Sequence, residues 1–285
     1  MGGRKGQESF PVLGISRYHE GLFSNNSLLF HELHGERHID RPHKHDFFMI
    51  LLFEKARGMH KIDFIEHSLG DYQLHLVFPG QVHQWHIEEE TVGYQLMVDR
   101  SLFEHIVPSF RFPQTFYQKH PVLQLSPEQF TTLRYEFGQI GQSLQCKNIC
   151  WPLLTSRLQI VSLLVSLVLE GMFKDIQVYN INPILSKFSI LVDRYFRESR
   201  SVGFYAEKLY ISANYLNILC RKYMFISASF LIQDRVLLEA KRLLKVSDRS
   251  VKEIAYELGF YDQASFSKFF KSKTGVIPSA FREQN

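Results

Sequence analysis

The residues best suited to chemistry are histidines, and all thirteen lie between His19 and His120. Near neutral pH an imidazole can donate or accept a hydrogen bond, carry a proton or bind a metal. Their concentration therefore points to a ligand or metal pocket in this part of the chain. Side chains on a strand alternate between its faces, so His43-Lys44-His45 would place two imidazoles side by side if extended. The blander reading is that each is a hydrogen-bonded core group. A second set lies near the C-terminus. Asn214, Asn217, Gln263, Ser267 and Lys268 carry groups that pair with base edges, Asn and Gln bidentately with adenine and Lys with guanine. Arg221, Lys222, Lys271 and Lys273 are of the type that neutralises phosphates. There is no serine or cysteine nucleophile motif and no phosphate-cradling glycine loop, which argues against ordinary hydrolase and nucleotide-binding functions.

Charge divides the same way. Up to residue 175 there are 16 Lys+Arg against 19 Asp+Glu, and beyond it 17 against 10. A basic segment suits a polyanionic partner, although small basic excesses are also common on solvated helices. At 285 residues with 45% apolar side chains, the chain is long enough for two domains and a real core. Cys146, Cys150 and Cys220 are odd in number and lack a second CxxC, so neither a disulfide framework nor a zinc knuckle is expected, and a reducing cytoplasm suits them. Met1 to Ser9 is polar, with no signal-peptide core behind it. The most apolar stretch, Leu153 to Phe173, is interrupted by Arg157, Gln159 and Glu170, so no membrane partner is expected.

These residues must be positioned by two kinds of element. Between Phe47 and Val98, short apolar runs (Phe47 to Phe53, Met59 to Glu66, Tyr72 to Phe78, Thr91 to Val98) are punctuated by Arg57-Gly58, Gly70-Asp71 and Pro79-Gly80. Short, regularly punctuated strands predict a small sandwich or barrel. Helical spacing follows over Phe130 to Gln145 and Leu153 to Phe173. In the latter, Leu154, Leu158, Val161, Val165, Val168 and Met172 share one face, and Leu153, Ile160, Leu164 and Leu167 another. A helix apolar on two faces needs two partners, here its own domain and the same helix of a second subunit, or else burial wholly within one domain. The pattern lapses over 174–183, where Asn180-Ile181-Asn182-Pro183 looks like a connector.

Beyond Pro183 the spacing is helical throughout, and one layout occurs twice. Phe204 to Tyr210, a turn at Ile211-Ser212 and Ala213 to Tyr223 form the first unit. Val251 to Leu258, a turn at Gly259 to Asp262 and Gln263 to Lys273 form the second, with a long helix over Ser229 to Val246 between them. Each is a helix-turn-helix in outline, the geometry that lodges a second helix in a DNA major groove. Gly259 suits the left-handed residue after the first helix, and Ser212 and Asp262 are placed as N-caps of the second helices.

The stretch LGFYDQASFSKFFKSKTGVIPSAFR, Leu258 to Arg282, closely resembles the signature of the AraC/XylS family of bacterial transcription regulators. Gly259, Phe260, Asp262, Phe266, Phe270, Gly275, Pro278 and Arg282 fall at family positions, and Arg235 to Ala240 and Ile254-Ala255 extend the match. The first unit matches less well, with Ile218 where the family tends to have a basic residue, Cys220 for Phe and Phe225 for Gly. RPHKHDFFMI, Arg41 to Ile50, and FPGQVHQW, Phe78 to Trp85, resemble the family's cupin-type sensor domain.

The resemblance implies an α+β protein: a cupin-like β-barrel with flanking helices for effector binding and dimerisation over 1–175, a linker over 176–183, and an all-α DNA-binding domain with two helix-turn-helix units over 184–285. The implied partners are double-stranded DNA, a small organic effector that is sugar-like or aromatic, a second copy of the chain and RNA polymerase, in a cytoplasmic, non-enzymatic activator. His43, His45, His83, Trp85, Tyr94 and Leu96 match positions resembling pocket-lining sites. Metal-binding cupins place histidines where His43, His45 and His83 stand, but Met49 and Ile50 occupy the places of the usual carboxylate, so no metal and no cofactor is expected. The rival reading is a metal-dependent cupin enzyme fused to a DNA-targeting module, with His86 as a substitute ligand.

Overall fold

The computed structural model describes residues 12–13, 24–25, 27–112, 114–172, 183–224 and 226–283. They fall into two compact units, one within 11–177 and the other within 178–285. The connector expected over 176–183 lies outside the described residues except for Pro183, as does Phe225.

The first unit runs β1 (Val12–Leu13), β2 (Ser24–Asn25), β3 (Leu28–His34), β4 (Arg37–His45), β5 (Phe48–Lys55), β6 (Gly58–Ile62), β7 (Ile65–Ser68), β8 (Gln73–Val77), β9 (Val82–Ile87) and β10 (Val92–Val98). After these come α1 (Arg100–Ile106), a 3-10 turn at Val107–Ser109, α2 (Gln114–Lys119), β11 (Val122–Gln124), α3 (Pro127–Leu144) and α4 (Trp151–Met172). The strands form one sheet in the order β1-β4-β9-β6-β7 and another in the order β11-β8-β5-β10-β3-β2. Among the described residues no ladder joins the two, so no closed ring is seen there, while the two sheets are consistent with the expected barrel.

Period-two alternation explains the layering. In β5, Met49, Leu51 and Phe53 join the core that also holds Ile62, Trp85 and Ile87 of the other sheet. Phe48 points the opposite way, against Phe103 and Phe110 in the helical layer. Both faces of β5 are therefore buried, and its sequence reads as a continuous apolar run. The stretch Met59 to Glu66, expected as one strand, is a hairpin: Asp63 and Phe64 have φ of 45° and 74° between the paired Ile62 and Ile65. Two consecutive positive φ values fit the tight turn whose twist matches a hairpin. The Asp63 carboxylate fixes it by accepting from Gln81 Nε2 at 2.6 Å and Val82 N at 3.2 Å.

Helix α3 starts at Pro127 because Ser126 and Gln129 form a reciprocal capping box. Helix α4 is long and apolar enough, by length and composition, to cross a membrane. Here Leu154, Leu158, Val161, Val165 and Leu169 are buried, and Arg157 pairs with Glu136 of α3 at 2.9 Å. Its outer face leaves Leu153, Ile160, Leu163 and Leu167 exposed. Leu163 stands there in place of the expected Leu164, which is half-buried, and Met172 is exposed rather than part of the inner face.

The second unit consists of α5 (Pro183–Tyr195), α6 (Val202–Lys208), α7 (Ala213–Met224), α8 (Ala228–Val246), α9 (Val251–Glu257), α10 (Gln263–Thr274) and α11 (Pro278–Glu283). Its core joins Phe188 of α5, Tyr205 of α6, Leu216 of α7, Ile232, Val236 and Ala240 of α8, Ile254 of α9 and Phe266 and Phe270 of α10. Beside this core Arg235 reaches Asp193 at 2.8 Å and Glu239 at 3.0 Å, and Arg197 reaches Glu239 at 2.9 Å. Burial alone would raise the Glu239 carboxyl, but the surrounding Arg235 and Arg242 charges hold it down at about 2.

Candidate nucleic-acid interface and inter-sheet pocket

Helices α6 and α7, and again α9 and α10, are joined by turns with the same hydrogen bonds. Tyr210 N donates to Glu207 O and Ile211 N to Ala206 O in the first; Gly259 N donates to Tyr256 O and Phe260 N to Ala255 O in the second. The bond back across five residues closes the helix end around one left-handed residue. That residue is Tyr210 (φ 57°) in the first turn and Gly259 (φ 74°) in the second. A Cβ at Gly259 would also lie 2.2 Å from the Arg197 carbonyl oxygen, so glycine is required twice over. The following helices are capped as their sequences suggest: Ser212 Oγ accepts from Tyr215 N at 3.1 Å and Asp262 Oδ1 from Ser265 N at 2.6 Å. Arg282 secures the end of α8 by donating to the Leu244 carbonyl at 3.2 Å.

On α10, Gln263, Lys268, Lys271 and Lys273 are exposed and Ser267 is half-buried, while Phe266 and Phe270 face the core. Gln263, Ser267 and Lys271 follow one another at intervals of four, so they share a face. On α7, Asn214, Asn217, Ile218 and Arg221 form a comparable stripe and, with Ser227 and Ser229, line an open groove of about 360 Å³. Lys222 is exposed beside it. Asn217 is partly committed, because its Oδ1 accepts from Ala228 N at 3.1 Å at the start of α8. Ile218, 50% exposed on this polar stripe, is a surface residue that base-pairing chemistry did not bring to notice.

In the first unit a cavity of about 310 Å³ is lined by His31, His43, His45, His83, Trp85 and Gln95 among its polar residues, with Arg37 and His38 also on its wall. Ile39, Phe47, Met49 and Met97 supply its apolar wall. His43, His45 and His83 are thus brought together: the ring centroids of His43 and His45 each lie within 4.9 Å of His83. Tyr94 and Leu96 do not line this cavity. They lie one residue out of step with Gln95 and Met97, and Tyr94 stacks instead on Phe30. A shift of one position along a strand exchanges its faces.

The cavity histidines belong to a larger buried set that the sequence did not pair. His60 of β6 reaches across the sheets, its Nδ1 3.0 Å from His75 Nδ1 on β8 and its Nε2 3.1 Å from His83 Nδ1. Burial pushes the His45 and His75 imidazoles down to about 3, and His60 and His83 well below the ordinary value, so all four are neutral at pH 7. Among the described residues no three His, Cys, Asp or Glu side chains are placed to hold a metal ion.

The helix-turn-helix domain family matches residues 205–284. The uncharacterized HTH-type transcriptional regulator YijO of Escherichia coli (strain K12) is 39% identical over 79 residues, which is 28% of this chain and 28% of that relative's length. The HTH-type transcriptional activator RhaS of Salmonella schwarzengrund is 24% identical over 261 residues, 85% of this chain and 87% of RhaS. Among solved structures, ToxT from Vibrio cholerae O395 gives a TM-score of 0.39 at 14% identity, covering 90% of this chain and 98% of ToxT. With the signature residues seated in the second turn and the helix-turn-helix match at 205–284, that segment is an AraC-type helix-turn-helix domain, and the chain is similar to RhaS along most of its length.

Proposed function

We propose that this protein is a cytoplasmic, sequence-reading DNA-binding regulator that acts as a homodimer, takes a small organic effector into the inter-sheet cavity and activates transcription through RNA polymerase. The observation carrying the DNA-binding part is the repeated turn, which holds α7 and α10 by the same hydrogen bonds with a polar stripe exposed on each. Gln263, Ser267 and Lys268 of α10 read base edges, and Lys271 and Lys273 contact phosphates. On α7, Asn214 and the free amide end of Asn217 read bases, Ile218 meets a thymine methyl, and Arg221 and Lys222 hold phosphates. The greater selectivity lies in the second unit, where among the described residues no reading side chain also caps a neighbouring helix.

The experiment is selection of the full-length chain on a randomised duplex pool, followed by footprinting of the enriched sequence with and without candidate effectors. Two protected stretches in successive major grooves, with at least one altered by an effector, are expected. A chain that is folded yet enriches no sequence at low salt would overturn the reading. In vitro transcription from the enriched site with RNA polymerase tests activation separately.

A further inference from the structure

Each helix-turn-helix turn exposes one tyrosine that the fold does not use. Tyr210 and Tyr261 are 96% and 91% exposed, while the next large hydrophobic side chain among the described residues, Ile65, is 61% exposed. Tyr210 holds the left-handed place of the first turn at φ 57°. Between that place and the N-cap the first turn has Ile211 alone, whereas the second has Phe260 and then Tyr261. Ile211 and Phe260 pack against the core, so each turn sends one phenol outward. Among the described residues no hydrogen bond or ring contact holds either of these side chains. A left-handed backbone costs Tyr210 energy that Gly259 is spared in the second turn. Strain that no packing offsets points to a residue kept for function.

In a helix-turn-helix the first helix crosses the sugar-phosphate backbone and the second enters the major groove with its N-terminal residues foremost. The turn between them therefore lies at the rim of the groove, where the phosphates run. Little in either turn is built to meet them by charge. Residues 209–220 carry no charged side chain, and residues 253–267 carry Glu253, Glu257 and Asp262 but no Lys or Arg. The cations of the second helices come later, Arg221 and Lys222 on α7 and Lys268, Lys271 and Lys273 on α10. Lys208 and Arg200 flank the turns but are engaged. Lys208 Nζ lies over the Tyr195 and Phe204 rings, and Arg200 stacks on Phe260 at 3.8 Å and donates to the Gly259 carbonyl at 2.6 Å. Ser212 Oγ and Asp262 Oδ1 are taken up by the caps. The phenols are thus the free side-chain donors of the turns. A phenol O–H donates to a phosphate oxygen in a charge-assisted hydrogen bond.

We propose that Tyr210 and Tyr261 each donate their phenol O–H to a phosphate of the bound duplex, fixing how α7 and α10 sit in their grooves. The inference rests on the reading of α7 and α10 as major-groove helices and adds the residues that position them without reading bases. Glycine would be easier on the backbone at position 210 but has nothing to offer a phosphate.

The test uses the full-length chain on the duplex enriched by selection. Tyr210→Phe and Tyr261→Phe each remove one oxygen from an exposed ring, so the unfolding midpoint should not move. Each should weaken binding about tenfold, to matched and mismatched duplexes alike. The salt slope should stay that of the natural chain, because a neutral donor releases no counterion, whereas Arg221→Ala should lower it by about one. Replacing phosphates one at a time by methylphosphonate should reveal, for each unit, a linkage whose substitution weakens the natural chain but adds little to the loss in the matching Phe variant. Tyr210→Gly should bind no better than Tyr210→Phe although its backbone is relieved. Either Phe variant binding as the natural chain does, a loss confined to one base sequence, a salt slope lowered by about one, or no linkage coupled to either tyrosine overturns the proposal and leaves the major-groove reading standing. If the folded natural chain enriches no duplex, both fall.

Discussion

Gly259 and Tyr210 hold the same left-handed place in two otherwise matching turns, at very different backbone cost. A side chain in this conformation costs about 1–2 kcal/mol, offset in part when a glycine loses its greater freedom on folding. Tyr210→Gly is therefore expected to stabilise the second unit by about 0.5–1 kcal/mol. Gly259→Ala should destabilise it by more than about 2 kcal/mol, because its methyl group also meets the Arg197 carbonyl. Urea unfolding of both variants, read by circular dichroism, checks the opposite signs. At the reading face, Gln263→Ala or Lys268→Ala should lose about 1–3 kcal/mol of discrimination at one base position. Arg221→Ala should instead weaken binding to every sequence and lower its salt slope by about one. Titrations of matched and mismatched duplexes at several salt concentrations separate the two behaviours; equal effects on all duplexes would remove the base-reading role. These residues were recognisable from type and spacing alone. Asn217 shows where that reading stops, since its tie to Ala228 comes from a neighbouring helix and leaves no trace in local spacing.

At the scale of elements, periodicity carried far wherever a segment had one dominant face. The helices α7, α8 and α10 lie within a residue or two of where their apolar spacing puts them. Three kinds of feature escaped it. Helices α1 and α2, 7 and 6 residues long, lack the repeated layout that marked the equally short α6 and α9. The turn at Asp63-Phe64 lacks the Asn-Gly or Asp-Gly chemistry that announces a tight hairpin, and is held by Gln81 and Val82 from a later strand. In β10 the face toward the cavity carries Gln95 and Met97, which no local pattern separates from Tyr94 and Leu96. Helix α4 gives the element-scale prediction. Its outer row of Leu153, Ile160, Leu163 and Leu167 is the expected seam of the homodimer. Leu163→Glu combined with Leu167→Glu, at residues 44% and 52% exposed, should weaken dimerisation at least about tenfold while shifting unfolding by little. Analytical ultracentrifugation over a dilution series decides; an unaltered dimer would move the interface elsewhere.

For the molecule as a whole, the sequence showed that histidines are confined to one part, but not that His60 and His75 meet across two sheets, because that pairing is set only when the sheets pack. Its consequence for stability has a definite sign. In the unfolded chain these imidazoles take up protons below about pH 6.5. Folded, His45 and His75 stay neutral to about 3. Acid thus favours the unfolded state of the first unit from pH 6.5 downward, at up to about 1.4 kcal/mol per pH unit for each such histidine. Between pH 7 and 5 the carboxylates add little, so the histidines dominate. Both tryptophans, Trp85 and Trp151, lie in that unit, so their fluorescence follows it alone. Its urea midpoint should fall markedly from pH 7 to pH 5, and a midpoint that stays put would show these imidazoles to be hydrated.

The bond from Asn217 to the start of α8 bears on any attempt to retarget the protein to new operators. Gln263 and Lys268 support no other element among the described residues, so libraries randomised there would yield mostly folded members and report honest preferences. Randomising position 217 would instead enrich clones for survival of the scaffold, and the apparent code recovered at that position would partly be a record of which side chains can still tether the next helix.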